Sequence, residues 1–312
     1  MAVSVVALAG GVGGAKLADG LAQVLPPERL TVVVNTGDDF EHLGLHISPD
    51  LDTVCYTLAG LANRATGWGR ADESWHFLEA LEALGGPAWF HLGDRDLALH
   101  HERTRRLALG EPLSSVTREL SQRMGVRPTV LPMSDHRVRT LVLTDSGELP
   151  FQTYFVEQAC APVVRGFRFD GMDAARPAPG VLEALASAQV VILCPSNPWV
   201  SLDPILAVPG IRQALAGKTV VGVSPIIRGQ ALKGPAAKMA RELGIEPSAG
   251  AIADHFRGLL SGWVIDTQDA AEAGRVQNAG ARVHRTNTVM KTPADRRRLA
   301  EDVLELARRL TG

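Results

Sequence analysis

Five short runs of apolar, mostly β-branched residues recur along the chain between helix-like and loop-like stretches. The runs do not alternate apolar with polar residues, as strands with one solvent-facing side would. Continuous apolar runs of this length are typical of strands buried on both faces of a parallel sheet. The runs are SVVALA (4–9), LTVVVN (30–35), VVILCP (190–195), TVVGVSP (219–225) and WVIDT (263–267). They predict an α/β fold with a doubly wound, mainly parallel sheet.

The stretch from residue 54 to residue 128 has a different pattern. Three amphipathic segments follow one another there, around 74–84, 95–109 and 114–124. One short apolar run, WFHL (89–92), interrupts them and resembles a further strand end. This pattern predicts a mainly helical insertion, residues 54–128, into a nucleotide-binding core.

Residues 136–171 show the alternation of apolar and polar residues that is typical of antiparallel strands. HRVRTLVLTD is followed by a turn at Ser146-Gly147 and then by LPFQTYFVE. We expect an antiparallel extension of the sheet here. Apolar residues at helical spacing also predict a terminal helix over 293–310. The predicted core therefore comprises residues 1–53 and 129–312.

Charge and hydropathy argue against several classes of protein. Of 312 residues, 46% are hydrophobic, and the net charge is −2. No apolar run approaches the ~18 residues that span a bilayer, and no cluster of basic residues indicates nucleic-acid binding. We therefore expect the protein to bind neither a membrane nor a nucleic acid. MAVSVVALAGG lacks the basic segment of a signal peptide, which predicts a cytoplasmic protein. Cys55, Cys160 and Cys194 lie far apart in apolar stretches, which predicts reduced core thiols.

A glycine-rich segment, GGVGGAK (10–16), directly follows the first predicted strand. Glycines let backbone N–H groups approach a phosphate, and a following helix adds its dipole. Gly11, Gly13, Gly14 and Lys16 are therefore candidate phosphate contacts. The spacing matches neither the dinucleotide fingerprint G-x-G-x-x-G nor the P-loop ending Gly-Lys-Ser/Thr. A tight strand-to-helix turn with no ligand is the alternative.

The next predicted strand leads into an acidic segment, NTGDDFEHLGLHISPDLDT (35–53). Asp38 and Asp39 follow the strand end, where open α/β sheets bind ligands. Ser48-Pro49 predicts a helix start, with Asp50 and Asp52 in its first turn. Two residues apart, these acids face different sides, and we expect Asp50 to be functional. Carboxylates beside phosphates suit Mg²⁺, although acids at a helix start also simply offset the dipole.

Polar loops follow three further apolar runs. LGDRD (92–96) follows WFHL, and Asp94 has the alternative role of capping its own helix. PSNP (195–198) and SPIIRG (224–229) follow two predicted core strands, with Lys233 shortly beyond. Ser, Asn and Arg side chains in such loops suit the recognition of a base or an anion. No motif for covalent catalysis is present in the sequence, which favours direct transfer to an acceptor.

Together these motifs resemble the 2-phospho-L-lactate transferase family, CofD, of coenzyme F-420 biosynthesis. The resemblance extends from about residue 5 to beyond residue 255. It rests on GGVGGAK, VNTGDDFEHLGLHISPDLDT, LGDRD, LPMSD (131–135), PSNP and SPIIRGQALKGPAAKM.

The resemblance implies a Rossmann-like core with a small helical domain, and a homodimer. It implies Mg²⁺-dependent transfer of a phospholactyl-type group from a guanosine-diphospho donor to 7,8-didemethyl-8-hydroxy-5-deazariboflavin, with release of GMP. The three-carbon acid stays open among the phospholactate, phosphoenolpyruvate and phosphoglycerate forms.

The resemblance also implies roles for individual residues. Asp50 is the expected catalytic residue, binding both the metal and the deazaflavin, with Asp38 as a second metal ligand. His91, Asp39 and Asp94 are expected at the deazaflavin; His91 stands where the family pattern has a basic residue. The expected nucleotide and phosphate contacts are Gly11, Gly13, Gly14, Lys16, Ser196, Asn197, Ser224, Arg228 and Lys233.

Two other functions share this pattern in part. A nucleotide-sugar-binding regulatory protein of the YvcK type has the glycine segment but does not need SPDLD beside an acceptor hydroxyl. The second is a nicotinamide oxidoreductase. Asp38 lies at about the right distance beyond the glycines to bind a cofactor ribose, but the glycine segment does not match the dinucleotide-binding fingerprint.

Overall fold

The computed structural model describes residues 3–311. Its strands, in chain order, are β1 (Val5–Ala9), β2 (Leu30–Val34), β3 (Phe40–His42), β4 (Leu45–Ile47), β5 (Thr129–Pro132), β6 (Arg139–Thr144), β7 (Gly147–Pro150), β8 (Val164–Asp170), β9 (Val190–Leu193), β10 (Thr219–Val223), β11 (Ile226–Ile227), β12 (Gln230–Ala231), β13 (Gly262–Asp266) and β14 (Arg282–Thr286). Its α-helices are α1 (Gly11–Val24), α2 (Pro49–Leu58), α3 (His76–Ala83), α4 (Asp94–Ala108), α5 (Leu113–Arg123), α6 (Val181–Ser187), α7 (Asp203–Ala207), α8 (Ile211–Ala214), α9 (Ala236–Glu242), α10 (Ala249–His255), α11 (Ala273–Asn278) and α12 (Pro293–Thr311).

A seven-stranded sheet lies at the centre, in the order β14-β13-β10-β9-β1-β2-β5. Every pairing in it is parallel, and β1 lies between β2 and β9. The chain builds outward from β1 through β2 and β5, and then crosses over to build outward from β9. The strand order therefore reverses between β1 and β9, the position where open α/β sheets bind ligands. The predicted doubly wound, parallel, Rossmann-like sheet is confirmed.

Helices and loops cover both faces of this sheet. Val5, Ala7 and Ala9 of β1 belong to the core beneath α1, α2 and α12, whereas Val6 and Leu8 belong to the opposite core. The predicted terminal helix is confirmed as α12. It packs closely on α1 at Gly20, where an added Cβ would lie only 2.1 Å from the Arg296 carbonyl oxygen.

The segment after α2 contains three helices, α3, α4 and α5, as expected. The run WFHL, interpreted as leading to a strand end, is not a strand. Trp89 and Phe90 pack edge-on against His42 and Phe40, with ring centroids 5.0 and 4.9 Å apart. Aromatic packing rather than sheet pairing therefore explains these apolar residues. The division into domains at residues 54 and 128 stays a prediction.

The antiparallel strands after residue 136 are present as a separate three-stranded sheet, β7-β6-β8. The β6–β7 hairpin ends at Pro150, and the rest of LPFQTYFVE is helical, which corrects the expected strand there. Phe151 and Phe155 stack with ring centroids 5.4 Å apart, as residues four apart on a helix do.

Two further observations concern the whole chain. Within residues 3–311, the helices are too short or too polar to cross a membrane. Cys55 and Cys194 are buried, as expected of core thiols, whereas Cys160 is only partly buried.

Candidate functional site

A cavity of about 690 Å³ opens at the carboxyl edge of the sheet, where β1 and β9 diverge. Its wall combines the start of α1, the acidic segment, α2 and the loops after β9 and β10. Most of the predicted site residues line it: Gly11, Gly13, Lys16, Asp38, Asp50, His91, Ser196, Asn197, Ser224 and Lys233. Four others do not: Gly14, Asp39, Asp94 and Arg228.

The glycine segment forms the first turn of α1 rather than a loop before it, because the helix begins at Gly11. The Gly10 N–H donates to Ser196 Oγ at 3.0 Å, and that hydroxyl donates to the Gly10 carbonyl at 2.7 Å. A Cβ at Gly13 would lie 2.2 Å from the Pro195 carbonyl oxygen. The glycines thus let α1 begin directly against the β9 loop. Its first-turn N–H groups have no intrahelical acceptor and form an anion-binding end.

Asp50 lies in the first turn of α2 and reaches back to α1. Its Oδ1 accepts the Gly11 N–H at 2.6 Å, and its Oδ2 accepts from Asn35 Nδ2 at 2.9 Å. Burial raises the pKa of this carboxyl to about 6, although both hydrogen bonds oppose the rise. Asp50 is therefore fixed in place by hydrogen bonds from the start of α1 and from Asn35.

Asp38 is the second carboxylate of the cavity wall. It is buried, and its Oδ1 has no hydrogen-bond partner. Burial, reinforced by the nearby Asp50, raises its pKa well above the ordinary value. A buried carboxylate with an unsatisfied oxygen is costly, and a bound cation would offset that cost.

The carboxylate pair Asp38 and Asp50 fits Mg²⁺, which takes one or two protein carboxylates together with phosphate oxygens and water. Among residues 3–311, no group of three or more His, Cys, Asp or Glu side chains is placed to hold a metal. The pair therefore suits a cation that arrives with a phosphate ligand better than one held in a cage of protein ligands.

Asp52 lies on a different side of α2 from Asp50, as expected from their spacing. It forms a buried ion pair with Arg103 of α4, with Arg103 NH1 3.1 Å from its Oδ2. Its main contact thus fastens α2 to α4.

Asp39 and Asp94, both expected at the deazaflavin, have hydrogen-bond partners within the chain, and their expected role stays a prediction. Asp39 Oδ2 accepts from Ser48 Oγ at 2.9 Å and lies 3.0 Å from His46 Nε2. Asp94 accepts from the His76 and Phe77 N–H groups at the start of α3. The alternative that Asp94 caps its own helix is wrong, because its carboxylate accepts from the first N–H groups of the neighbouring helix α3.

The remaining candidates differ in their exposure to the cavity. Lys16 Nζ donates to the Met290 carbonyl at 3.0 Å, and burial, followed by nearby Arg296 and Lys233, lowers its pKa. Lys233 Nζ donates to the Thr66 carbonyl across the cavity mouth. Arg228 has an exposed side chain and does not line the cavity. Its backbone N–H donates to Asp269 Oδ1 at 2.9 Å.

The side chains of the two polar loops satisfy their own backbone. Asn197 Oδ1 accepts the Trp199 N–H at 3.1 Å, and Ser224 Oγ accepts the Ile226 N–H at 3.1 Å. They line the cavity while also fixing the shape of the loops. His91 is an exposed residue on the wall, edge-on to Trp75 with ring centroids 6.2 Å apart.

The cavity wall also contains a second polar group and several aromatic side chains that were not predicted from the sequence. The missed residues are Tyr56, Trp89, Phe90, Asp96, His100, Phe151 and Phe155. Asp96 and His100 are four residues apart on α4, a spacing that places them on one helix face. That spacing was visible in the sequence, but the approach of α4 to α2 was not.

The chain is similar to known proteins over nearly its full length. The family model described as 2-phospho-L-lactate transferase CofD matches residues 5–305. A phosphoenolpyruvate transferase of Streptomyces griseus is 46% identical over 311 residues, covering 97% of this chain and 98% of that protein. A 2-phospho-L-lactate transferase of Methanopyrus kandleri is 40% identical over 313 residues, covering 98% of each.

A solved structure shares the fold at low identity. A Bacillus halodurans protein described as a member of the UPF0052 family superposes with a TM-score of 0.63 at 17% identity, covering 97% of this chain and 99% of that chain. This likeness concerns the architecture alone.

Proposed function

The chain belongs to the 2-phospho-L-lactate transferase CofD family, a family of transferases in coenzyme F-420 biosynthesis. We propose that the group it transfers is phosphoenolpyruvyl. In this proposal the donor is a guanosine-diphospho enolpyruvate, the acceptor is 7,8-didemethyl-8-hydroxy-5-deazariboflavin, and GMP is released. The choice of acid is supported by the relatives named phosphoenolpyruvate transferases, which are 46% and 47% identical in three Streptomyces species.

One observation carries the proposal: the buried carboxylates Asp38 and Asp50 line the same cavity as the first turn of α1, Gly11 to Gly13. The helix end, with Lys16, is suited to the diphosphate of the donor. When bound, Mg²⁺ would be held by Asp38 and Asp50 and would neutralise charge on the phosphates. This arrangement supplies positioning and charge neutralisation, the main requirements of phosphoryl transfer.

The proposed step exchanges one phosphorus–oxygen bond for another. The ribityl hydroxyl oxygen of the acceptor bonds to the phosphorus that bears the enolpyruvate. The bond from that phosphorus to the oxygen bridging to GMP breaks, and GMP leaves with this oxygen. Asp50 orients the hydroxyl and receives its proton on a carboxylate oxygen, because an ionised carboxylate has lone pairs beyond those that accept the Gly11 N–H and Asn35 Nδ2.

A mass-spectrometric assay tests the proposal. Purified protein is incubated with the deazaflavin, Mg²⁺ and guanosine-diphospho donors carrying enolpyruvate, lactate or glycerate. The expected result is GMP together with an acceptor that gains the phosphoenolpyruvyl mass, fastest with the enolpyruvate donor. Preference for another donor would overturn the choice of acid but keep the reaction class. No transfer with any donor, combined with tight binding of a nucleotide-sugar, would instead support a YvcK-type regulator.

Asp38→Asn tests the role of the carboxylate pair. We expect turnover to fall at least ~100-fold, as for removal of an electrostatic catalytic group. The melting temperature should rise at pH 7 without Mg²⁺, because the raised pKa of Asp38 makes its ionised form costly in the fold. Glu301→Gln, on the exposed face of α12, is the control and should change neither quantity. Turnover like that of the unsubstituted protein in Asp38→Asn would rule out the assigned role.

A further inference from the structure

The cavity has a second polar region, further along α2 from the glycine turn. Tyr56 lies six residues beyond Asp50, which is about 9 Å along the helix axis. It is 1% exposed, and its hydroxyl donates to Asp96 Oδ1 of α4 at 2.5 Å. Along α2, Tyr56 is thus displaced from Asp50 by roughly the length of a short polyol chain.

Asp96 presents one oxygen to the cavity. Its Oδ1 receives the Tyr56 hydroxyl, whereas no hydrogen bond within residues 3–311 reaches its Oδ2. The side chain keeps only 14% of its surface exposed, at the cavity wall. Burial opposes its ionisation, but the close approach of His100, followed by the Tyr56 hydroxyl, lowers its pKa. Asp96 is therefore an ionised, largely desolvated acceptor.

His100 adds an unused donor beside it. The residue is 1% exposed, and its Nδ1 lies 3.3 Å from Arg103 NH1. A guanidinium only donates, so Nδ1 accepts and the imidazole proton is on Nε2. That Nε2 is 3.3 Å from Asp96 Oδ1 but makes no hydrogen bond in the described chain. A buried N–H without a partner at a cavity wall indicates a ligand group that completes it.

Aromatic side chains border the same cavity. Trp89 and Phe90 lie on its wall, as do the stacked rings of Phe151 and Phe155. Flat aromatic faces suit a planar heteroaromatic ligand. A planar ring with a hydrogen-bonding edge would satisfy both these faces and the polar groups.

We propose that Asp96 and His100 bind the imide edge of the acceptor's pyrimidinedione ring and so determine which acceptors are used. Asp96 Oδ2 accepts the imide N–H, and His100 Nε2–H donates to a neighbouring ring carbonyl. Tyr56 and Arg103 are positioning residues that orient this pair. The inference rests on the proposed deazaflavin acceptor, and it adds a specificity contact away from the reacting hydroxyl.

The test compares the deazaflavin with its N3-methyl derivative, which lacks the imide N–H. Binding is followed by the ring's own fluorescence, in the presence of GDP and Mg²⁺. We expect the unsubstituted protein to bind the methyl derivative ~10-fold to 100-fold more weakly, the usual effect of losing a charge-assisted hydrogen bond. In Asp96→Asn and Asp96→Ala the parent compound should bind weakly as well. The two compounds should then differ by less than about threefold.

Controls separate recognition from folding. His101→Asn changes the exposed neighbour of His100 and should keep the full discrimination. GDP affinity and the melting curve of each Asp96 variant should show an intact fold, and Asp96→Ala leaves space for the added methyl group.

Each remaining outcome has a distinct meaning. Equal binding of both compounds by the unsubstituted protein would overturn the imide contact while leaving the transfer reaction standing. An 8-methoxy derivative gives a further outcome. If the protein binds it weakly, and this effect disappears in the Asp96 variants, then the hydroxyl end of the ring contacts Asp96, and the imide contact is overturned. Absence of deazaflavin binding and of transfer in the unsubstituted protein would overturn the proposed function itself.

Discussion

At the scale of single residues, Gly13 shows how closely α1 approaches the β9 loop. A Cβ there would lie 2.2 Å from the Pro195 carbonyl oxygen, closer than real contacts allow. Gly13→Ala should therefore destabilise the protein by roughly 1–3 kcal/mol, as overpacking does. It should also weaken GDP binding, because the first turn of α1 must move. Urea unfolding and GDP titration measure the two effects.

Gly274→Ala is the matched control for that substitution. Gly274 lies in α11 with no atom within 4 Å of an added Cβ. Alanine has the higher helix propensity, so stability should rise by ~0.5–1 kcal/mol. Destabilisation by Gly274→Ala but not by Gly13→Ala would contradict the close approach described here.

Residue identity predicted some of these roles and not others. Asp50 and Asp52 were separable because their spacing on a helix fixes their relative direction. The partners of Asp94 were not predictable, because Ser74 and the start of α3 reach it only through the folded chain. Arg228 was expected near the anion for its charge, yet its side chain lies outside the cavity wall. The local sequence predicts which side of a helix a side chain faces, whereas the tertiary fold decides which residue it contacts.

At the scale of elements, Asp266 ties the end of β13 to the segment after β14. Its Oδ1 accepts the Gln268 N–H at 2.9 Å, and its Oδ2 accepts the Thr288 N–H at 2.9 Å. In Asp266→Asn the side-chain NH2 group, itself a donor, replaces one of the two accepting oxygens and faces a backbone N–H. We expect a loss of ~1–3 kcal/mol at pH 7, the usual cost of a broken buried hydrogen bond.

The same substitution has a predictable pH dependence. Burial would raise the pKa of Asp266, but hydrogen bonds from Gln268 and Thr288 lower it below its ordinary value. The carboxylate therefore stabilises the fold above about pH 4, and this contribution is lost as the pH falls through the lowered pKa. The difference between the two proteins in urea unfolding should shrink on acidification. A constant difference, or the same loss in the exposed control Asp173→Asn, would contradict this account.

The elements that the sequence predicted best are those buried on both faces. All five apolar runs are strands of the central sheet, because complete burial demands continuous apolar sequence. The edge strands β5 and β14 were missed, and β14 reads RVHRT, with polar residues that suit an edge. WFHL was misinterpreted because aromatic packing and strand burial favour the same residues.

At the scale of the whole molecule, residues 54–128 are fastened to the rest of the chain by several polar contacts. Arg103 of α4 pairs with Asp52 of α2. The Ser114 N–H, at the start of α5, donates to Asp135 beyond β5 at 2.6 Å. The His46 N–H donates to Thr104 of α4 at 2.7 Å. These links join residues 54–128 to the segments that precede and follow them in the chain.

We therefore expect a single cooperative unfolding transition in calorimetry, even though residues 54–128 were predicted as an insertion domain. GDP at about 100 times its dissociation constant should move the whole transition by ~2.7 kcal/mol, because its proposed site draws on distant parts of the chain. Arg103→Leu should lower the midpoint of that one transition, since it leaves Asp52 unpaired in the interior at a cost of ~3–5 kcal/mol. Two separate transitions, with GDP shifting only one, would instead show that the helical segment unfolds independently of the sheet.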